Sequence, residues 1–448
     1  MERSAPGVTL QPGRWLVWFA LVIGVLVGAG MLGRPTPAHA QTEGAAQAIQ
    51  GNVRNQYEKD GKRVQEGVPD VRIVVETEDG ALVAEATTDA DGHYLIPIDQ
   101  PGTYVVRLDQ DSLPEGLTVA EGKDSFTVPL TANNTQTRGF FLGQDLRITE
   151  GRWSQLPQVL ANGLKLATII AITSIGLSLI FGTTGLSNFA HGEMVTFGAV
   201  IAWGFNRSWA SWTLIMAALA ATVASAAFGG LFELALWRPL RRRGTGLTSM
   251  MIVSIGVALG LRSLFLFRIG GDIKQYGQYM LQPDQVSIGP IDLAPRSLWI
   301  MVLSGLIIVG VALFLLYARF GKAIRAVSDN PDLASSSGID ADRVILIVWL
   351  LGGALAGIGG VFYGLEFGVS WDMGFTLLLL MFAAITLGGL GNPFGALVGS
   401  LVIGLMVEFW TWLVPGANDL KNVGALVALI VILLIRPQGI LGSKERIG

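Results

Sequence analysis

From residue 156 onward the chain is a succession of apolar runs, each near the length of a bilayer crossing. They fall near 160–184, 192–205, 209–237, 247–268, 297–318, 343–365, 374–391, 393–414 and 422–436. A membrane-spanning helix needs about 20 predominantly apolar residues, and in hydrocarbon only helices and closed barrels satisfy their own backbone. Several runs are short or broken by glycine. The expectation is a polytopic α-helical membrane protein with about eight or nine transmembrane helices, preceded by a small extracytoplasmic β-sandwich.

Charge is scarce. Of the 448 residues only 15% are charged and 51% are hydrophobic, whereas a soluble domain carries about 25% charged residues. The 58 glycines suit helices that approach one another closely in lipid. A net charge of -3 without a basic face argues against nucleic acid as a partner. There is no cysteine, which removes disulfides, thiolate catalysis and Cys-held metal. The histidines are His39, His93 and His191, too few for a His-rich metal cluster, so no metal and no cofactor is expected. G-x-S-x-G, H-E-x-x-H and phosphate-loop motifs are missing; Gly321-Lys322 lacks both the preceding glycine and the following hydroxyl. The chain is therefore read as no enzyme. If it pumps, another chain hydrolyses the nucleotide.

Two regions precede the apolar runs. Residues 1–40 read as a signal peptide or N-terminal anchor: Arg3 and Arg14 flank "WLVWFALVIGVLVGAGML", and Ala38-His39-Ala40 is an A-x-A cleavage site. Residues 44–143 are polar with period-2 apolar alternation, as in "VRIVVETEDG" and "TYVVRLDQDS", punctuated by D-G and P-G turns. That is the pattern of a small antiparallel β-sandwich. Asp89-Ala90-Asp91-Gly92 lacks the further oxygen ligands of a calcium loop and reads as a turn.

Orientation follows from charge. Basic residues cluster at Arg238, Arg241, Arg242 and Arg243, at Arg319, Lys322 and Arg325, and in the tail "RPQGILGSKER". The positive-inside rule makes these cytoplasmic. A leader that places the sandwich outside gives the same answer by counting crossings, and puts 269–296 outside.

Three segments break the apolar pattern with polar or small residues. "GLSNFAHGEM" sets Asn188, His191 and Glu193 between two apolar runs. One reading makes Asn188 a helix end, with His191 and Glu193 opening the next helix near the cytoplasmic face. The other is irregular backbone lining the pathway or its inner gate, tolerated at membrane depth only against protein or water. "TLGGLGNPFG" repeats the layout with Asn392, and paired broken segments point to a transporter's site. "GKAIRAVSDNPDLASSSG" (321–338) is short, small-residue-rich and mixed in charge, either a solvated loop or a helix that docks on a partner. Glu366 and Asp372 fall where an external mouth or an exposed loop is expected.

"GLSLIFGTTGLSNFAHGEMVTFGA", "RPLR", "GKAIRAVSDNPDLASSSGIDADRV", "TLGGLGNPFGALVGSLVIG" and "RPQGILG", in this order, resemble the permease subunits of branched-chain amino-acid ABC importers over 156–442. The N-F-A-H-G-E core is closer to the first of the two paired permeases (the LivH type). "GVPDVRIVV…TTDADGHYLIPIDQPGTYVVRL" resembles the carboxypeptidase-regulatory-like, Ig-like sandwich family, a fusion that departs from the usual bare permease. The resemblance implies a multi-pass plasma-membrane subunit with an extracytoplasmic N-terminal domain. It implies two ATP-binding cassette subunits, a second permease, an extracytoplasmic solute-binding protein and membrane lipid as partners. It further implies that 321–338 is the coupling helix docked on the ATPase, with Gly321, Ala323, Arg325, Ala326, Ala334, Gly338 and Ile339 matching the pattern. Urea or short-chain amide import is the alternative within transport. A surface-anchored binding protein is the alternative from another class.

Overall fold

The computed structural model describes residues 47–59, 62–114, 116–119, 123–130, 135–142, 153–277, 286–414, 420–435 and 439–441. The signal or anchor expected at 1–40 lies outside them, as do 436–438 and the residues after 441 in the C-terminal tail. The chain divides into two compact units, one built from strands and one from helices.

In the first unit β1 (Gln47–Lys59) pairs antiparallel with β2 (Lys62–Gly67) and β5 (His93–Ile98). The same strand pairs in parallel with β8 (Thr135–Thr137) and β9 (Phe140–Leu142). A second sheet runs β4-β3-β6-β7, from Leu82–Thr87, Arg72–Thr77, Gly102–Leu108 and Ser125–Leu130. The period-2 alternation buries Ile73 and Val75, Tyr94, Ile96 and Ile98, Tyr104, Val106 and Leu108, and Val128 and Leu130 in one core. The two buried tyrosines keep their hydroxyls satisfied: Tyr94 donates to the Arg138 carbonyl at 2.9 Å and Tyr104 to that of Gln100 at 2.7 Å.

Asp89 organises the turn before β5, accepting from the backbone N–H of His93 at 2.8 Å and of Asp91 at 3.0 Å. The His93 N–H holds its carboxyl below the usual aspartate value. Gly92 has φ 77°, and a Cβ there would stand 2.4 Å from the Val53 carbonyl oxygen. Only glycine fits that corner.

The second unit contains helices α1 (Leu156–Thr184), α2 (His191–Trp203), α3 (Leu214–Phe232), α4 (Leu247–Ile269), α5 (Pro295–Tyr317) and α6 (Arg319–Asp329). After these come α7 (Pro331–Ser336), α8 (Ala341–Phe367), α9 (Met373–Gly388), α10 (Pro393–Leu413) and α11 (Lys421–Ile435). Helix α3 continues through a wide turn at Glu233–Trp237 to Arg242. Each apolar run named above carries a helix. Among the described residues six are long and apolar enough to cross a membrane: α1, the α3 helix as far as Arg242, α4, α5, α8 and α10. The apolar helices at 373–388 and 422–432 are shorter, and α2 has 13 residues.

Helices α1 and α8 form the centre, with 78% and 67% of their most apolar stretches buried, against 28% for α4 and 17% for α5. Glycine explains how α8 packs on three neighbours. A Cβ at Gly352 would meet the Gly176 carbonyl of α1 at 3.2 Å, one at Gly353 the Ser225 carbonyl of α3 at 2.4 Å, and one at Gly360 the Val195 carbonyl of α2 at 2.1 Å. Backbone touches backbone, the contact that small residues permit in lipid.

Arg238, Arg241 and Arg242, at the end of the α3 helix, are held by two carboxylates. Asp342, at the start of α8, accepts from Arg238 at 2.8 Å and from Arg242 at 2.9 Å. Glu233, fully buried, is paired with Arg241. Lys274 and Val369 exchange backbone hydrogen bonds of 2.8 Å, and the Asn206 side chain accepts from the Gly277 N–H at 2.8 Å.

Candidate functional site

Helix α1 ends at Thr184, where Gly185 takes φ 67° and turns the chain back. The segment from Gly185 to Ala190 does not lead on to a helix beside the end of α1. It returns along α1 until His191 Nε2 stands 3.2 Å from the Thr173 carbonyl oxygen. From Thr173 to Thr184 a helix rises about 16 Å, within reach of the intervening chain when extended at about 3.3–3.6 Å per residue. Helix α2 therefore starts deep beside the middle of α1. His191 and Glu193 do open a helix, as one reading expects, but beside the middle of α1 rather than beside its end.

Backbone in such a place needs partners. The Phe189 N–H donates to Ser254 Oγ of α4 at 3.0 Å. Asn188 accepts twice, from the Ala190 N–H on Oδ1 at 3.1 Å and from the His191 N–H on its carbonyl at 3.2 Å. These bonds fold the segment's end into the first turn of α2.

Three expected residues are brought together here, all buried: Asn188 0%, His191 0% and Glu193 1% exposed. Each keeps an unspent polar atom among the described residues: Asn188 Nδ2, His191 Nδ1 and Glu193 Oε2. The other Glu193 oxygen receives Arg262 of α4, whose Nε and Nη2 both stand 3.4 Å away. Arg262 also lies over the Phe375 ring, 3.9 Å from its centroid. Gly192 lets α9 come close, since its Cβ would meet the Gly374 carbonyl at 2.5 Å. Thr196 Oγ1 accepts the Gly374 N–H at 3.1 Å. The imidazole thus faces α1, while the Glu193–Arg262 pair lies between α2 and α4 against Phe375 of α9.

Asn392 is used differently. Its Oδ1 accepts from the N–H groups of Phe394 at 3.0 Å and Gly395 at 3.2 Å, capping α10. The break between α9 and α10 is a tight turn, with φ 111° at Gly389 and 78° at Gly391. The tail holds the same place: Ile440 and Leu441 donate their N–H groups to the carbonyls of Leu387 and Gly388 at 2.6 and 3.0 Å, satisfying the last turn of α9.

The segment 321–338 folds as α6 and α7, joined at Asn330, whose side chain caps α7 through the Leu333 N–H at 2.9 Å. Gly321 and Ala334 are buried, and Ala323, Ala326 and Ile339 pack in part on the helical core. Arg325 and Gly338 are exposed, as are Phe320, Lys322 and Leu333. Gly321 permits the α5–α6 corner, where a Cβ would lie 2.3 Å from the Phe314 carbonyl.

Glu366 lies in the last turn of α8, not in a loop. It pairs with Lys165 of α1 at 2.6 Å and accepts from Ser297 Oγ of α5 at 2.9 Å. Asp372 accepts from Ser370 Oγ at 2.9 Å. The sequence reasoning missed Arg262, Thr196 and Ser254. A lone arginine inside "MIVSIGVALGLRSLFLF" is a signal that an apolar helix rarely carries without a partner; the two hydroxyls carry none.

Residues 159–435 match the family model described as "Branched-chain amino acid transport system / permease component". The chain is 31% identical over 301 residues to the high-affinity branched-chain amino acid transport system permease protein BraD of Pseudomonas aeruginosa, covering 64% of this chain and 96% of BraD. It is 29% identical over 305 residues to the LivH permease protein of Salmonella typhimurium, with 64% and 96% covered. It is 27% identical over 281 residues to the nucleoside ABC transporter permease protein NupC of Lactococcus lactis subsp. cremoris, with 59% and 86% covered.

Proposed function

The chain belongs to the family of branched-chain amino acid transport permease components, and on that premise we propose that it carries branched-chain or related amino acids inward as the membrane subunit of an ABC importer. The observation that carries this reading is the match of 96% of BraD to this chain, whose residues 159–435 fit the family model. BraD, at 31% identity against 27% for NupC, favours an amino acid over a nucleoside as the solute.

In this reading the subunit sits in the plasma membrane with about eight or nine crossings. Residues 44–143 form an extracytoplasmic Ig-like domain, and 156–442 the permease domain. Arg238, Arg242 and α6 face the cytoplasm, as the positive-inside rule requires. Two ATP-binding cassette subunits, a second permease and an extracytoplasmic solute-binding protein complete the importer.

Asn188, His191 and Glu193 line the pathway or its gate. Buried ionisable groups at a broken helix are costly in a membrane, and their unspent polar atoms favour a transported polar solute over a purely structural role. Asn392 contributes by fixing the geometry of the second break. The α6–α7 segment docks on an ATPase subunit, presenting Lys322, Arg325 and Leu333. Gly321, Ala323, Ala326, Ala334, Gly338 and Ile339 set its shape. Closure of the ATPases moves this segment, and the permease alternates between outward and inward openings.

The test is uptake of radiolabelled leucine, isoleucine and valine by cells lacking their own branched-chain systems and expressing the full importer. ATP-dependent accumulation of these solutes is expected. Accumulation of nucleosides, urea or short amides instead would overturn the substrate assignment, and no ATP-dependent uptake of any of them would overturn the importer.

A further inference from the structure

Three segments distant in sequence meet at Gly182. The Gly182 carbonyl lies in the last turn of α1, where its helical partner would be the Leu186 N–H. That N–H turns to Thr184 Oγ1 instead, at 3.2 Å. The carbonyl receives Ser328 Oγ of α6 at 2.9 Å. Orphaned helix-end carbonyls must find a donor, and here α6 supplies it.

Gly182 also has no room for a side chain. A Cβ would stand 2.8 Å from the Gly391 carbonyl oxygen and 2.9 Å from Ser328 Oγ. Gly391 belongs to the turn between α9 and α10, and its own Cβ would lie 3.2 Å from the Gly182 Cα. Gly182 is followed within its own chain by Gly185, where the segment carrying Asn188 and His191 begins. One residue thus touches α6, lies three residues before the first broken segment and abuts the second. The end of α9 that leads into this second turn is held by the Ile440 and Leu441 N–H groups.

We propose that Gly182 is the junction through which displacement of α6 reaches both broken segments together, with Ser328 as the positioning residue that holds α6 to it. The proposal rests on the importer reading above. Close-packed backbone transmits a shift because it is not compressible, and the Ser328 hydroxyl sets the direction in which α6 can pull. Weakening the junction uncouples the ATPase stroke from the pathway and leaves hydrolysis running without transport.

The experiment uses the complete importer in liposomes and reads ATP hydrolysed per solute taken up. Ser328→Ala should raise that ratio about fivefold, the scale of one neutral hydrogen bond, and Ser328→Thr, which keeps a hydroxyl, should restore it. Gly182→Ala should raise the ratio independently by forcing the three segments apart. A purely structural role would lower hydrolysis and uptake in parallel and leave the ratio alone. If Ser328→Ala does not assemble, Ser328→Cys is read in the same way. A wild-type ratio in the assembled Ser328 and Gly182 variants overturns the junction while the importer reading stands. Absence of ATP-driven uptake by the unsubstituted complex overturns the importer reading itself.

Discussion

Arg262 reaches from α4 to one carboxylate oxygen of Glu193 on α2 through two nitrogens, each at 3.4 Å, and leaves the other oxygen unspent. Glu193 is 1% exposed, so neither partner can be removed cheaply. Removing one member of a buried pair costs about 3–5 kcal/mol, whereas replacing both with apolar groups is often neutral. Thermal unfolding of the detergent-purified complex should show Glu193→Ala and Arg262→Met each strongly destabilising. Glu193→Leu combined with Arg262→Met should recover most of the loss. Simple additivity of the single effects would mean that the pair does not act as a unit. Uptake by the recovered double variant separates the roles: a folded but inactive protein places the charges in transport.

The exposed face of α6 and α7 is a different prediction from the segment's composition. Ala334 is buried, so a bulky residue there disturbs the segment itself and says little about docking. Leu333, 64% exposed, is the cleaner probe. Leu333→Asp and Arg325→Glu should reduce co-purification of the ATPase subunit by about tenfold, the effect of about 1.4 kcal/mol, without changing the protein's melting behaviour. Wild-type ATPase recovery in both variants would move the docking surface elsewhere.

Orientation can be measured without background because the chain has no cysteine. A single cysteine replacing Gln110 or Gln275, both exposed, should react with an impermeant maleimide in intact cells. One replacing Lys322 should react only after permeabilisation. The reverse pattern at Lys322 would invert the topology.

Glycines fall into two physically distinct groups. At Gly388 a Cβ would lie 1.8 Å from the Gly395 carbonyl, whereas Gly256 and Gly305 have nothing within 4 Å. Gly388→Ala must separate α9 from α10 and should cost at least 2 kcal/mol, about the scale of overpacking. Gly256→Ala and Gly305→Ala should be neutral or gain up to about 1 kcal/mol of helix propensity. Equal melting temperatures for all three proteins would show that the α9–α10 contact is not tight.

The helices were legible because apolar runs in a membrane protein must be helical, whatever packs on them. The strands of the first unit were legible for the complementary reason: Tyr104, Val106 and Leu108 are buried while Thr103, Val105 and Arg107 between them face outward, the alternation that a half-buried sheet requires. The path between α1 and α2 was not. A polar stretch between two apolar runs reads alike whether it caps the membrane surface or turns back into it. The choice is made by Phe189 finding Ser254 and His191 finding Thr173, contacts that no local pattern encodes. Ala334 shows the same limit on a smaller scale. Its small side chain suits a docking face and a buried contact equally, and only the fold of α6 and α7 decides between them.

The return of Gly185–Ala190 along α1 also sets an order of assembly during synthesis. Phe189 meets its partner Ser254 only 65 residues later, and Glu193 meets Arg262 69 residues later. Until α4 has left the ribosome, the turned-back segment has an unanswered N–H and a lone carboxylate, both costly in hydrocarbon. The start of α2 must therefore wait in a wetter place, at the translocon or the membrane surface, and move inward once α4 arrives. Nascent chains halted before Ser254 should leave a cysteine at Ala190 open to water-soluble maleimide, and chains halted well beyond Arg262 should shield it. The broken segment is then among the last parts of the first four helices to take its final position.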